Sequence, residues 1–138
     1  MFLLDTNVVS EIRKVASGRA DAGVSEWSRA IDAELLHISA VTVQELEAGV
    51  LRIERRDPEQ GLALRHWYEQ QVLPTFADRT LPVDTAVARR CATLHVPDPK
   101  PYRDSLIAAT ALVHGLTLVS RNARDFEADG LKVFNPWR

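Results

Sequence analysis

Short apolar runs alternate with longer amphipathic segments along the chain, and this alternation predicts the secondary structure. The runs FLL, LHIS, TLPV, LTLVS and LKVF have the length and apolar content of short buried strands. Helical spacing of apolar residues predicts helices over 6–14, 21–35, 42–54, 58–73, 84–94 and 104–114. Strands separated by helices need crossover connections, which produce parallel pairing. The predicted class is α/β, with a mostly parallel central sheet of about four to five short strands flanked by helices.

Composition supports one globular unit. The chain has 138 residues, of which 46% are hydrophobic and 26% charged, so we expect a single domain over residues 1–138. Three prolines place an exposed loop at His95–Tyr102, but this loop does not divide the chain into two domains. The lone Cys91 excludes an internal disulfide. We find neither a signal peptide nor an apolar stretch long enough for a membrane, which predicts a cytoplasmic protein without membrane contact.

The charge balance neither announces nor excludes a nucleic-acid partner. Nineteen acidic residues against 17 basic ones give a formal charge of −2. Most of the basic residues are arginines, which suit bidentate phosphate contacts.

Four acidic residues lie close to the predicted strand ends or to a helix start. Asp5 follows FLL, Glu45 lies about one helical turn beyond LHIS, Asp125 follows LTLVS, and Asp104 begins a helix after the proline loop. Ligands of open parallel sheets bind beyond the carboxyl ends of the strands. These four side chains are therefore candidates for a common site.

Each acid also has a purely structural interpretation. Asp5 or Thr6 would cap a helix, and Thr42-x-x-Glu45 matches a capping box. The helix dipole would favour the negative charge of Asp104, and Asp125 would cap a turn or pair with Arg121 or Arg124. Convergence changes the balance, because two carboxylates about 4 Å apart repel by about 4 kcal/mol at an effective dielectric of 20. Protonation or a bound cation must relieve that repulsion. Ligand sets made only of oxygen favour Mg²⁺ or Mn²⁺ over zinc or copper.

Four blocks of sequence carry a family resemblance. These are LLDTNVVSE, SAVTVQELEAGV, DSLIAATALVHGLTLVSRNARDF and the ending VFNPW. In this order and spacing they resemble the PIN-domain ribonuclease toxins of the VapC type, within the subgroup that includes FitB. The resemblance extends over 3–137. It implies a PIN-like fold and a metal-dependent endoribonuclease that is the toxin of a type II toxin–antitoxin pair.

The resemblance also implies roles for individual residues. Asp5, Glu45 and Asp104 match the first three acidic positions of the family, and Asp125 is assigned as the fourth. Some relatives carry Asp where this chain has Asn122, which is therefore an alternative neutral ligand or water-positioning residue. In this hypothesis Asp5 and Asp104 hold Mg²⁺ (or Mn²⁺) directly, Glu45 binds it through water or orients the nucleophile, and Asp125 completes the pocket.

Further residues are assigned to the surroundings of this site. Thr6 and Asn7 follow the first ligand and are expected to orient a carboxylate or a water. Basic residues near the motifs are candidates for RNA contacts: Arg13, Lys14, Arg103, Arg121 and Arg124. The cluster Arg52, Arg55 and Arg56 is predicted to be a solvated face or a partner contact, because it lies at the far end of its helix from Glu45.

Partners follow from the resemblance alone. It implies a homodimer, an RNA substrate and a VapB-like antitoxin whose tail enters the acidic groove, with promoter DNA bound only through the antitoxin. A guanidinium entering that groove would occupy the place of the cation, so antitoxin and Mg²⁺ are expected to compete. The alternative is a catalytically weak PIN-like module that acts by binding antitoxin or RNA. Retention of Asp5, Glu45 and Asp104 argues against that module.

Overall fold

A five-stranded parallel sheet forms the centre of the molecule. The computed structural model describes residues 1–138. Its strands are β1 (Phe2–Leu4), β2 (Leu36–Ser39), β3 (Thr80–Leu81), β4 (Thr117–Val119) and β5 (Val133–Phe134). Every pairing is parallel, and the strands lie in the order β3-β2-β1-β4-β5. The prediction of an α/β fold with a parallel sheet is confirmed.

Helices connect the strands. They are α1 (Thr6–Ile12), α2 (Ala22–Ala30), α3 (Ala40–Arg56), α4 (Pro58–Trp67), α5 (Leu73–Thr75), α6 (Thr85–Leu94) and α7 (Tyr102–His114). A π-helical stretch, Tyr68–Val72, joins α4 to α5, and short 3-10 turns lie at Ala33–Leu35 and Ala123–Asp125. Asp84 caps α6, and Gly115 ends α7 with a left-handed φ of 65°.

The start of α3 differs from the sequence-based prediction, and the difference matters for Glu45. Ser39 is the N-cap of α3, and its hydroxyl oxygen accepts the Val41 N–H at 3.0 Å. The helix therefore begins two residues before Thr42, and the proposed Thr42-x-x-Glu45 capping box is wrong. Glu45 lies in the second turn, where its carboxylate is free to interact with other elements.

The core divides into two main layers, because successive strand residues point to opposite faces of the sheet. On one face Leu4 packs in a cluster with Val8, Val50 and Tyr68, which brings together α1, α3 and the π-helical stretch. On the other face Leu3 packs with buried residues of α7. This burial fixes α1, α3 and α7 around the carboxyl end of β1.

No helix has both the length and the apolar character needed to cross a membrane.

Candidate active site

Three of the predicted acidic residues meet around one arginine. Asp5 follows β1, Glu45 lies on α3, and Asp104 lies in the first turn of α7 beside Arg103. The Arg103 guanidinium donates from Nη2 to Asp5 Oδ1 at 2.5 Å, from Nε to Glu45 Oε2 at 2.8 Å, and from Nη1 to Asp104 Oδ1 at 2.8 Å. We call this arrangement the Arg103 bridge. It confirms that residues about 100 positions apart in the chain are neighbours in the fold.

Asp5 is held rigidly at the bottom of the site. Its side chain is fully buried. Oδ1 accepts the Thr6 N–H at 2.7 Å, and Oδ2 accepts the Ser120 hydroxyl at 2.7 Å. Ser120 follows β4, the strand that pairs with β1, and was not predicted as a site residue. Its position directly after an apolar run was the sequence signal that could have identified it.

Glu45 is oriented from two sides. The Thr6 hydroxyl donates to Glu45 Oε1 at 2.6 Å and lies 3.1 Å from the hydroxyl of buried Thr42. Partial burial acts to raise the pKa of Glu45, but the hydrogen bonds from Arg103 and Thr6 outweigh it and hold the pKa below its usual range. Glu45 is therefore ionised at neutral pH. The Thr6 hydroxyl thus contacts a carboxylate of the bridge, and its role in orienting that carboxylate for function stays a prediction.

Arg103 is charged under all ordinary conditions. Burial acts to lower the pKa of the Arg103 guanidinium, but its bonds to Glu45, Asp104 and Asp5 raise that pKa well above the usual value. The side chain remains about one-third exposed, so the bridge is open to solvent on one side.

The donor set fits a hard divalent cation by its chemistry. Asp5, Glu45 and Asp104 offer only carboxylate oxygens, the ligands that Mg²⁺ and Mn²⁺ prefer. The three carboxylates point at the Arg103 guanidinium rather than at one another, so its positive charge offsets theirs. In this arrangement no three acidic, histidine or cysteine side chains close on a common point.

The fourth acidic position lies apart from the bridge. Asp125 is exposed at the end of the 3-10 turn after β4 and forms no ion pair with the bridge residues. It shares with Asp104 the wall of a cavity of about 310 Å³. Asn122 is also exposed, and its backbone N–H donates to the Ser120 hydroxyl oxygen at 3.0 Å. The choice between Asp125 and Asn122 as fourth ligand therefore stays a prediction.

The residues assigned around the site lie in different places. Asn7 Oδ1 accepts the Arg121 N–H at 3.4 Å. The Arg121 guanidinium lies over Trp137, and that of Arg13 over Trp67, with 5.5 and 5.4 Å to the ring centroids. Lys14 pairs with Glu11, and Arg124 is exposed on the 3-10 turn. Of the five basic candidates only Arg103 touches the acids.

A groove between α3 and α7 runs along one side of the bridge. It has a volume of about 610 Å³, and its lining includes Glu45, Arg52, Tyr102 and Arg103. Tyr102 is 74% exposed, and its ring lies 4.8 Å from that of His95. We call it the α3–α7 groove.

Two lining residues were missed or misplaced by the sequence analysis. Tyr102 was assigned only to a loop, and Arg52 was placed at the far end of its helix from Glu45. Arg52 is seven residues after Glu45, about two helical turns, so both lie on one face of α3. The seven-residue spacing was a sequence signal that Arg52 and Glu45 line the same groove. The prediction that Arg52 lies far from the site is therefore corrected.

The comparison with protein families agrees with this geometry. Residues 2–130 match the family model described as the PIN domain. The chain therefore belongs to the PIN-domain family.

Individual relatives are similar over their full lengths. The chain is 37% identical to "VapC ribonuclease Y4jK" of Sinorhizobium fredii over 142 residues, which cover 99% of this chain and 98% of the relative. It is 39% identical to "Toxin FitB" of Neisseria gonorrhoeae over 144 residues, covering 99% of both. Among solved structures, FitAcB from Neisseria gonorrhoeae matches with a TM-score of 0.89 and 36% identity, covering 100% of this chain and 99% of that one.

Proposed function

We propose that this chain is a metal-dependent endoribonuclease and the toxin of a toxin–antitoxin pair. The observation that carries the proposal is the convergence of Asp5, Glu45 and Asp104 beside an open groove. Full-length similarity to proteins named as a VapC ribonuclease and a toxin supports it. Carboxylates that repel one another are retained where they serve a ligand or a reaction.

The cation would be held by Asp5, Glu45 and Asp104, with Asp125 or Asn122 as a possible fourth ligand. Mg²⁺ is the expected ion and Mn²⁺ a substitute, because all these donors are oxygens. When bound, such an ion lowers the pKa of a coordinated water and offsets charge that develops on the phosphate.

The chain's own residues supply orientation. Ser120 and the Thr6 N–H fix both oxygens of Asp5, so this carboxylate has one geometry. Thr6 fixes one oxygen of Glu45, and the other remains able to accept a hydrogen bond from an attacking water once Arg103 leaves. Glu45 would act through this oxygen by positioning that water.

The α3–α7 groove supports a single-stranded RNA path to the acids. Arg52 provides a positive charge for a phosphate, and the exposed ring of Tyr102 provides a face on which a base can stack. Both lie in the same groove as Glu45. An RNA strand along this groove would present a phosphodiester to the carboxylates.

The expected partners come from the relatives. The structure of FitAB bound to an IR36 DNA fragment matches this chain with a TM-score of 0.88 and 34% identity. We expect a VapB-like antitoxin for this chain, promoter DNA bound only through that antitoxin, a homodimeric toxin, and a cytoplasmic location.

The decisive experiment is cleavage of total cellular RNA by the purified, antitoxin-free chain in Mg²⁺ and in EDTA. Asp5→Asn preserves the shape of the buried side chain but removes its charge, so cleavage should be lost. Asp78→Asn makes the same chemical change at a largely exposed carboxylate and should cleave normally. Circular dichroism of both variants checks folding.

Discrete RNA ends that require Mg²⁺ and Asp5 would support the ribonuclease. A folded chain that cuts no RNA in Mg²⁺ or Mn²⁺, yet binds its antitoxin, would favour the alternative of a binding module.

A further inference from the structure

Arg103 neutralises the site in a way that surface arginines do not. Each of its three donor nitrogens bonds a different carboxylate. These belong to Asp5 after β1, Glu45 on α3 and Asp104 on α7. Arg65 offers a comparison, because it also bonds three acids, Glu47, Glu54 and Glu69. The Arg65 cluster links α3 with α4 and the π-helical stretch and involves no predicted site residue. Arg103 alone has its charge directed at the site.

We propose that the Arg103 side chain is a built-in competitor of the divalent cation, which must leave the bridge before the cation binds. This inference rests on the proposed metal-dependent function. It assigns to the chain itself a device that restrains its own site, independent of any antitoxin.

Exclusion follows from geometry and charge. The three bonds of 2.5 to 2.8 Å use one oxygen of each carboxylate. The second oxygen of Asp5 accepts a hydrogen bond from the Ser120 hydroxyl, and the second oxygen of Glu45 accepts one from the Thr6 hydroxyl. A cation bound by the same carboxylates would stand within a few ångströms of a guanidinium with charge of the same sign. The two therefore cannot share the three acids.

Release of Arg103 needs no change in the backbone. The side chain is about one-third exposed and also lines the α3–α7 groove. Rotation about its side-chain bonds would carry the guanidinium from the acids into that groove, while α7 stays packed. Asp104, the next residue, would stay in place as a ligand.

The test compares Mn²⁺ binding by calorimetry in four forms of the full chain. Arg103→Met keeps much of the side-chain volume but removes the competitor, so Mn²⁺ should bind about tenfold more tightly or better, a difference of about 1.4 kcal/mol. Arg121→Met removes the same charge from an arginine that lies over Trp137, and should change affinity less than about twofold. Asp5→Asn should weaken binding.

These outcomes separate the two ideas. If folded Arg103→Met bound Mn²⁺ as tightly as the unmodified chain or more weakly, Arg103 would not be a competitor of the cation. Arg103 would then be a fixed structural partner of the three carboxylates. Unchanged binding in Asp5→Asn would instead refute the metal site on which the proposed function depends.

Nuclear magnetic resonance gives a second readout that does not depend on affinity. The Nε–H of Arg103 is bonded to Glu45, so its signal should be protected from exchange with water in EDTA. Saturating Mg²⁺ should shift this signal and remove the protection, whereas the Arg121 signal should not change. An Arg103 signal unchanged at Mg²⁺ saturation would contradict the proposal.

Discussion

At the scale of single residues, the site is a balance of charges. Carboxylates gathered in one site repel one another because their charges have the same sign. Exposure weakens this repulsion for Glu45 and Asp104, whose side chains are 30% and 26% exposed, but not for fully buried Asp5. The Arg103 bridge relieves the repulsion, because the guanidinium bonds all three carboxylates. Asp5 is therefore the residue whose charge most needs a partner.

The exposed ring of Tyr102 gives a prediction about substrate binding. Tyr102→Ala should raise the KM for a single-stranded RNA substrate about fivefold or more, because loss of one stacking contact costs about 1 to 3 kcal/mol. The kcat should change less than twofold, since Tyr102 forms none of the hydrogen bonds of the Arg103 bridge. Steady-state cleavage of a labelled oligonucleotide measures both constants.

Tyr102→Phe is the matched control for this prediction. It keeps the aromatic face and removes only the hydroxyl, so its KM should stay within about twofold of the unmodified chain. A similar loss in both variants would refute stacking as the cause.

The sequence predicts the acidic residues better than their basic partner. Asp5 and Glu45 follow apolar runs, and a parallel sheet brings such ends together. Arg103 was predicted only as a general phosphate contact, because an arginine near a helix start is usually solvated. Its link to Asp5 and Glu45 depends on how α7 packs against β1 and α3, which is tertiary information.

At the scale of elements, hydrophobic pattern determines most of the fold. All five apolar runs contain strands, although β3 and β5 are only two residues long. The predicted helix over 21–35 ends at Ala30 and is followed by a separate 3-10 turn. Boundaries were harder to predict than elements, because caps such as Ser39 depend on backbone geometry that apolar spacing does not reveal.

Two helical glycines predict opposite effects on stability. A Cβ on Gly23 in α2 would overlap the Pro136 carbonyl oxygen of the C-terminal tail, so Gly23→Ala should destabilise the fold by about 1 to 3 kcal/mol. A Cβ on Gly49 in α3 meets no atom within 4 Å, so Gly49→Ala should stabilise it by about 0.5 to 1 kcal/mol. Urea unfolding of both variants measures the difference.

The pair serves as its own control, since the chemical change is identical. Equal free energies of unfolding for Gly23→Ala and Gly49→Ala would contradict the close packing of the C-terminal tail on α2.

At the scale of the whole molecule, the net charge does not reveal how acidic and basic side chains are distributed locally. The chain carries −2 overall, yet Arg52 and Arg103 line the same groove as Glu45. RNA binding should therefore weaken with salt despite the negative total, because contacts with phosphates release counterions. The background for this measurement is the Asp5→Asn chain in EDTA, in which cleavage of the RNA should be lost. Adding Arg52→Ala to this background should reduce the slope of log affinity against log salt by about 0.7. Fluorescence anisotropy with a labelled RNA measures it.

Arg89→Ala provides the comparison, because this arginine is exposed on α6 and does not line the groove. Equal slopes for Arg52→Ala and the unmodified background would exclude Arg52 from the phosphate path.

The central place of β1 has a consequence for synthesis on the ribosome. β1 is made before its partner β4, which ends at Val119, and Ser120 beyond β4 is needed to hold Asp5. The centre of the sheet is therefore incomplete until β4 has left the ribosome. In a nascent chain that ends before β4, β1 lacks its second neighbour. The helix that carries Asp104 is then not packed in its final position. The pocket around Asp5 therefore assembles only after the whole stretch from β1 to Ser120 has been made.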